Sequence, residues 1–295
     1  MLQPYVKIFL ATAEGGSFSA AAARLYVSKV TVMNQINALE AQIGVALFKR
    51  TRHGVALTEA GSVFVAKTKE LLRLSEQAIR ETRQTGGLDT KNIRIGASMM
   101  RPASRLVELW EGIAGKKPDI QFSMVTFHDG KSCLADMVHA LGDTIDCFAS
   151  PCSSTELLKE CNFLPFAVCP IEVAMSRKHP LAKKASLRWE DLENESLMLL
   201  ERGKSYVLDE LRDEIQLHHP QIRIIDFDGF FNIPAFNLCE SQRYLMNTMD
   251  IWENLHPSLT TVPVAWKYEM PYGLLYAKKP NGIVKEFVEA IRGHL

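Results

Sequence analysis

SFSAAAARLYVSKVTVMNQINALEAQIG, residues 17–44, decides the fold of the first part of the chain. It holds two helical patterns separated by a joint of about three residues, short enough to force a steep, tightly packed helix pair. In the second pattern Val32, Ile36, Leu39 and Ile43 recur at i, i+4, i+7 and i+11 and predict one buried stripe. Val30, Asn34, Asn37 and Ala41 fall on the opposite side, with Thr31 and Met33 on the flanks. Ser28 stands where an N-cap hydroxyl accepts from first-turn amides, and Gly44 where a helix ends in the left-handed conformation. The preceding helix is expected to start from Ser19 as cap and to turn Ala21, Ala22 and Leu25 inward, the alanines allowing close backbone approach. Phe9, Leu10 and Ala13 of a first helix, closed by Gly15-Gly16, complete a three-helix core with Phe18. This is helix-turn-helix geometry, in which the outer face of the second helix reads base edges in the major groove.

On an isolated amphipathic helix, Asn34 and Asn37 would simply face water. The next segment changes that reading. ALFKRTRHGVALTEAG, residues 46–61, predicts a strand ending in Lys49-Arg50, a tip of Thr51-Arg52-His53-Gly54 and a return strand from Val55 to Leu57. A basic hairpin beside a helix-turn-helix is a wing, placed to track phosphates or enter the minor groove. Asparagines pair with base edges, and Val30 or Thr31 suits a thymine methyl. The candidate DNA contacts are Ser28, Lys29, Val30, Thr31, Met33, Asn34, Asn37, Arg50, Arg52 and His53.

These residues carry a family likeness. With Phe9, Ser17, Phe18, Ala21, Ala22, Leu25, Val27, Ser28, Val32, Gln35, Ile36, Leu39, Glu40, Gly44, Leu47, Phe48, Arg50, Leu57, Thr58, Ala60 and Gly61 in gapless register, the chain resembles the LysR-type transcriptional regulators. The departures fall on the reading face. Lys29 and Val30 stand where the family has glutamine and proline, Met33 replaces its serine and Asn34 its common basic residue. The resemblance therefore implies double-stranded DNA as partner without implying the family's usual operator preference.

Thr58 is the predicted cap of a helix from Glu59 to about Thr85, 27 residues and roughly 40 Å long. Its apolar side, with Val63, Phe64, Leu71, Leu74 and Ala78 as candidate dimerisation residues, lacks a partner in so small a domain and calls for another helix. The resemblance implies a linker helix packed antiparallel on its twin in a homodimer, further assembly into a homotetramer, and RNA polymerase as an additional candidate partner.

After Gly86-Gly87 the pattern alternates strands and helices, βαβαβ, which predicts a parallel sheet. The fold class is α/β: an N-terminal winged helix-turn-helix (1–58), a linker helix and hinge (59–87), and a two-lobed, periplasmic-binding-protein-like effector domain (88–295). Lobe I is expected at 88–160 and 268–295 and lobe II at 161–267. Ligands in such clamps sit beyond the carboxyl ends of strands, where helix N-termini favour anions. The candidate effector residues are Ser98, Met99, Met100, Arg101 and His128 on one lobe, and Arg202, Gly203, Lys204, Phe230 and Asn247 on the other. The effector is a small molecule of anionic or aromatic character. The family's glycine-rich segment is replaced by CESQRYLMNTMDIWENLHPSL, residues 239–259, which points to a remodelled site. Trp252, Trp266, Tyr268 and Tyr272 are expected to pack the crossover.

Composition bounds the alternatives. The 295 residues carry zero net charge, yet residues 1–85 hold 11 Lys and Arg against 6 Asp and Glu, leaving 23 against 28 in the remainder. A basic module joined to an acidic one fits a polyanion-binding regulator. All six cysteines follow residue 130 without a CxxC pair, so no metal is expected, and no cofactor. MLQPYVKIFLATAEGG carries Lys7 and Glu14 within its apolar stretch and no cleavage site, which predicts a cytoplasmic protein without a membrane segment. GxSxG, P-loop, GxGxxG and HExxH motifs are absent, and Cys133 with His128 or His139 is the sole nucleophile-base pair to weigh. The chain reads as a transcriptional regulator rather than an enzyme. A redox sensor using C-terminal cysteines is the alternative mechanism, and an α/β enzyme the more remote one.

Overall fold

The computed structural model describes residues 4–51, 54–85, 91–115, 119–129, 133–227 and 231–295. They form two compact units, Met1–Asp89 and Thr90–Leu295.

The first unit runs α1 (Pro4–Gly15), α2 (Phe18–Leu25), α3 (Lys29–Ile43), β1 (Phe48–Thr51), β2 (Gly54–Leu57) and α4 (Glu59–Thr85). Its core is Phe9, Ala21, Val32, Ile36, Leu39 and Leu47, each at most 2% exposed. Ser28 caps α3 by accepting from the Thr31 amide at 3.0 Å, and Gly44 closes it at φ 83°. Two expectations are corrected. Ser17, not Ser19, caps α2, its Oγ accepting from Ala20 N at 3.1 Å, so that Phe18 starts the helix with its ring edge-on to Phe48. Ile43 is 38% exposed, because the last turn of α3 runs past the core.

Glu40 ties α3 to the wing, its carboxylate accepting from the Leu47 and Phe48 amides at 2.6 and 2.9 Å. β1 and β2 pair antiparallel, and Val55 N donates to Gly16 O at 2.8 Å, seating the wing on the α1–α2 turn. Thr58 caps α4 through Gly61 N at 2.9 Å, and a Cβ on Gly61 would lie 2.1 Å from Leu47 O, so only glycine fits there. Phe64, expected on the unpartnered side of α4, instead packs edge-on against Phe9 at 5.0 Å.

The second unit holds two five-stranded sheets. The chain order begins β3 (Lys91–Ala97), α5 (Ser104–Ala114), β4 (Ile120–Thr126), α6 (Cys133–His139), β5 (Cys147–Pro151), α7 (Leu157–Glu160), β6 (Cys161–Pro170) and β7 (Glu172–Ser176). It continues β8 (Ser196–Leu200), α8 (Tyr206–His218), β9 (Arg223–Phe227), α9 (Ile233–Gln242), β10 (Leu245–Thr248), β11 (Leu259–Val262), β12 (Glu269–Ala277) and α10 (Gly282–Arg292). One sheet is ordered β4-β3-β5-β12-β6 and the other β11-β7-β10-β8-β9. β3 pairs parallel with β4 and β5, as the alternation predicts, and β12 returns antiparallel between β5 and β6.

The expected lobe boundary needs correction. Residues 161–170, expected in lobe II, form β6 of the first sheet, so the chain crosses at Ile171. There Ile171 N donates to Tyr268 O at 3.0 Å and Trp266 Nε1 to Ile171 O at 2.6 Å, joining the two crossovers. Trp110, Phe122 and Phe287 interlock under the first sheet, with Trp110 and Phe287 centroids 4.7 Å apart. One continuous apolar cluster runs through both lobes.

Candidate nucleic-acid interface and inter-lobe cleft

The outward side of α3 presents Ser28, Lys29, Val30, Thr31, Asn34 and Asn37, all exposed, with Met33 half-buried at the flank. Val30 is 64% exposed, a β-branched residue held in water by its helix position alone. The Ser28 hydroxyl lies 2.8 Å from Thr31 Oγ1 while capping the helix, so these two side chains first hold the end of α3. Lys49 is exposed on β1. Arg50 lies in β1 opposite Val55, but its side chain falls outside the described residues, as do Arg52 and His53. Along α4, Val63, Leu71 and Leu74 are 61%, 56% and 47% exposed, and Ala78 is exposed as well, leaving an apolar stripe down the helix.

In the second unit a cleft with about 420 Å³ of empty volume, open mouth included, lies between the lobes. Lobe I supplies Arg101 and the run Ser150-Pro151-Cys152-Ser153-Ser154 at the end of β5; lobe II supplies Lys204 and Ser205 ahead of α8, then Phe231 and Trp252. Ser205 caps α8 through Leu208 N at 3.2 Å, and its Oγ meets Ser153 Oγ across the cleft at 2.5 Å. Tyr206 N donates to Ser153 O at 3.1 Å, so the positive end of α8 abuts the end of β5.

Arg101 is only 4% exposed. Its Nη1 stands 3.9 Å from Asp129 Oδ1, and its Nε has no partner among the described residues. Burial pulls the guanidinium below its ordinary value, opposed by the Cys133 thiol and the Asp129 carboxylate. Asp129 is itself held by Met100 N at 3.1 Å.

Of the expected effector residues, Arg101 and Lys204 line this cleft; Phe230 lies outside the described residues, next to the lining Phe231. The others do not line it, each for a visible reason. Met100 is fully buried in the core and its carbonyl accepts from Trp252 Nε1 at 2.7 Å. Met99 is 62% exposed and His128 is exposed. Ser98 forms a bridge to Arg101 that turns its hydroxyl into the interior. Arg202 turns out to Asp213 at 2.5 Å, and Gly203, at φ 89°, donates its amide to the Asp209 carboxylate at 3.0 Å. Asn247 is wholly buried in β10 between β7 and β8, with both side-chain polar atoms unpartnered among the described residues. The serines at 150, 153 and 154 were missed. Their signal was a small polar run directly after a buried strand of a parallel sheet. Trp252, expected to pack the crossover, is instead buried against Phe231 and Phe236 and walls the cleft.

Residues 5–62 match the family model described as the bacterial regulatory helix-turn-helix protein, lysR family. These residues form a LysR-family helix-turn-helix domain. Among curated relatives, the chain is 30% identical to the HTH-type transcriptional regulator BudR of Raoultella terrigena over 187 residues, 62% of each chain. It is 44% identical to the regulator TfdT of Cupriavidus pinatubonensis over 77 residues, 26% of this chain and 34% of that one. The chain thus spans less than two thirds of the length of these relatives. The solved structure of CbnR, a LysR family transcriptional regulator, superposes with a TM-score of 0.72 at 21% identity, covering 100% of this chain and 99% of that one. CbnR complexed with its target DNA gives a TM-score of 0.69 at the same identity, covering 100% of both chains. These structural likenesses are likenesses of fold. The relatives are named as transcriptional regulators, not enzymes.

The six cysteines are all buried and free. Burial raises the Cys161 and Cys239 thiols to about 12 and Cys169 to about 11. Such thiols stay protonated near neutrality and are poor nucleophiles, which disfavours the redox alternative. Cys133, weighed as an enzyme nucleophile, faces Asp129 and Met137 rather than a histidine. Among the described residues no helix is long and apolar enough to cross a membrane.

Proposed function

We propose that this protein is a sequence-specific DNA-binding transcriptional regulator whose C-terminal clamp senses a small molecule. The observation that carries the reading is the face of α3: its buried stripe is complete in Val32, Ile36 and Leu39, and the exposed side offers Lys29, Val30, Asn34 and Asn37 beside a basic wing. The domain division follows the reading, with DNA recognition in residues 1–58, dimerisation along α4 and effector sensing in the C-terminal unit.

The exposed Val63, Leu71 and Leu74 support a homodimer whose two wings sit on two-fold-related half-sites. The protein acts in the cytoplasm, and its dimers pair into tetramers on DNA, with RNA polymerase as the further partner of an activating form. In the cleft the buried, incompletely paired Arg101, with Lys204 and the amino end of α8, supports a ligand with one anionic group, and the walls of Phe231 and Trp252 support an apolar body. Ligand closure of the lobes then shifts the packing of dimers and the bend of the DNA.

The experiment is a shift assay with duplex DNA from the protein's own promoter region at two salt concentrations, with and without small organic acids. Retardation that weakens steeply with salt is expected, because phosphate contacts release counterions. Absence of binding to every such duplex, with or without ligand, overturns the reading.

A further inference from the structure

Tyr26 stands in the turn between α2 and α3. With φ 55° and ψ 39° it occupies the left-handed region, where a bulky side chain crowds the backbone. Its amide closes α2 by donating toward the Ala22 and Ala23 carbonyls, a task glycine performs without strain. Its side chain is 97% exposed, so packing within the described residues does not offset that strain. It precedes the cap Ser28 by two residues, and shares that end of α3 with Val27 and Val30, 39% and 64% exposed. A strained, fully exposed aromatic at the entrance of the reading helix directs attention to a partner outside the chain.

We propose that Tyr26 is a DNA-contacting residue, its ring lying against deoxyribose and its hydroxyl donating to a backbone phosphate beside the groove that α3 enters. This rests on the DNA-binding reading above, and adds a contact that lies outside the recognition helix. A phenol is neutral and neutralises no phosphate, so its contribution is the same on every sequence and does not change with salt.

The test compares full-length wild type with Tyr26→Gly and Tyr26→Phe by fluorescence anisotropy on a promoter duplex and an unrelated duplex at two salt concentrations, alongside thermal unfolding. Tyr26→Gly is expected to unfold at the same or a higher temperature, yet to bind both duplexes about tenfold more weakly with an unchanged salt slope. Tyr26→Phe keeps the unfolding temperature and loses a smaller, several-fold share. A Tyr26→Gly variant that binds as tightly as wild type overturns the proposal, and so does one whose affinity falls only together with its unfolding temperature. Wild type that binds no duplex overturns the DNA-binding reading itself.

Discussion

The winged unit holds its candidate contacts out in water on one short helix, whereas the two-lobed unit gathers its own in a cleft from segments spread between residues 101 and 252. On α3 the exposed side chains are neutral or basic and none is held by a buried charge partner. In the cleft Arg101 is buried within a polar cluster that includes Asp129 and Cys133. The first arrangement suits a rigid surface meeting a polyanion, and the second a small ligand that must displace or complete existing pairs. The difference teaches that substitutions on α3 should change binding while leaving the fold alone, and that substitutions around the cleft should do both unless charge is removed as well as its partner.

The largest expected effect tests whether the units are separable. Phe9 is fully buried between the rings of Phe48 and Phe64, at 5.4 and 5.0 Å, and Phe9→Ala should cost about 3–5 kcal/mol. Chemical denaturation should then show the winged unit unfolding early while the C-terminal transition stays in place; a single shifted transition would show that the two fold as one.

A cost of similar size, about 3–5 kcal/mol, is expected for Asp129→Ala, which leaves the Arg101 guanidinium buried without its carboxylate. Adding Arg101→Met to Asp129→Ala removes the charge together with its partner and should bring the unfolding midpoint back near that of wild type while abolishing stabilisation by an anionic ligand. Equal ligand stabilisation in Arg101→Met and wild type would take Arg101 out of the site.

On the reading face Asn34→Ala should weaken operator binding by about 1–3 kcal/mol and relax specificity at one base pair, with no change in melting temperature. Lys29→Ala, by contrast, should weaken all duplexes alike and reduce the salt slope by about one, which anisotropy titrations can separate. Smaller still is Ser28→Ala. Losing the cap bond to Thr31 N should cost about 1 kcal/mol, read as a lower unfolding midpoint of the winged unit.

The thiol-linked pH response lies above neutrality and belongs to the C-terminal unit alone. The Cys161 and Cys239 thiols are raised from 9.0 to about 12 in the fold by burial, so below pH 9 they are protonated whether the chain is folded or not. As pH rises from about 9 toward 12 the unfolded chain loses those protons first, and stability falls. Residues 1–85 hold no cysteine, so the thiol-linked loss should appear only in the C-terminal transition, and Cys161→Ala with Cys239→Ala should blunt it.

The helix-turn-helix was legible because its signals are local: the caps Ser28 and Thr58, the stop at Gly44 and the stripe Val32-Ile36-Leu39 all lie within a few turns of one another. The errors there were end effects. Ser17 and Ser19 both flank Phe18, and packing of that ring on Phe48 chose between them. In the C-terminal unit the first three strands and their parallel pairing were legible from alternation alone. The crossover was not, since Phe163 to Met175 reads as one extended run and the break at Ile171 comes from pairing with Tyr268, far along the chain. The cleft was harder again. Position after a strand selected Met99 and Arg202 as readily as Arg101 and Lys204, and loop direction alone separated them.

Residue order by itself determined the winged domain, the long α4 with its apolar stripe and the alternation of strands and helices, because capping and periodic burial act between residues a turn or two apart. Tertiary structure alone decided which loops meet: that Ser153 reaches Ser205, that Trp252 reaches the Met100 carbonyl, and that Arg101 is buried beside Asp129. Those contacts join residues from 28 to 152 positions apart, and their partners are chosen by how two sheets pack rather than by any local pattern.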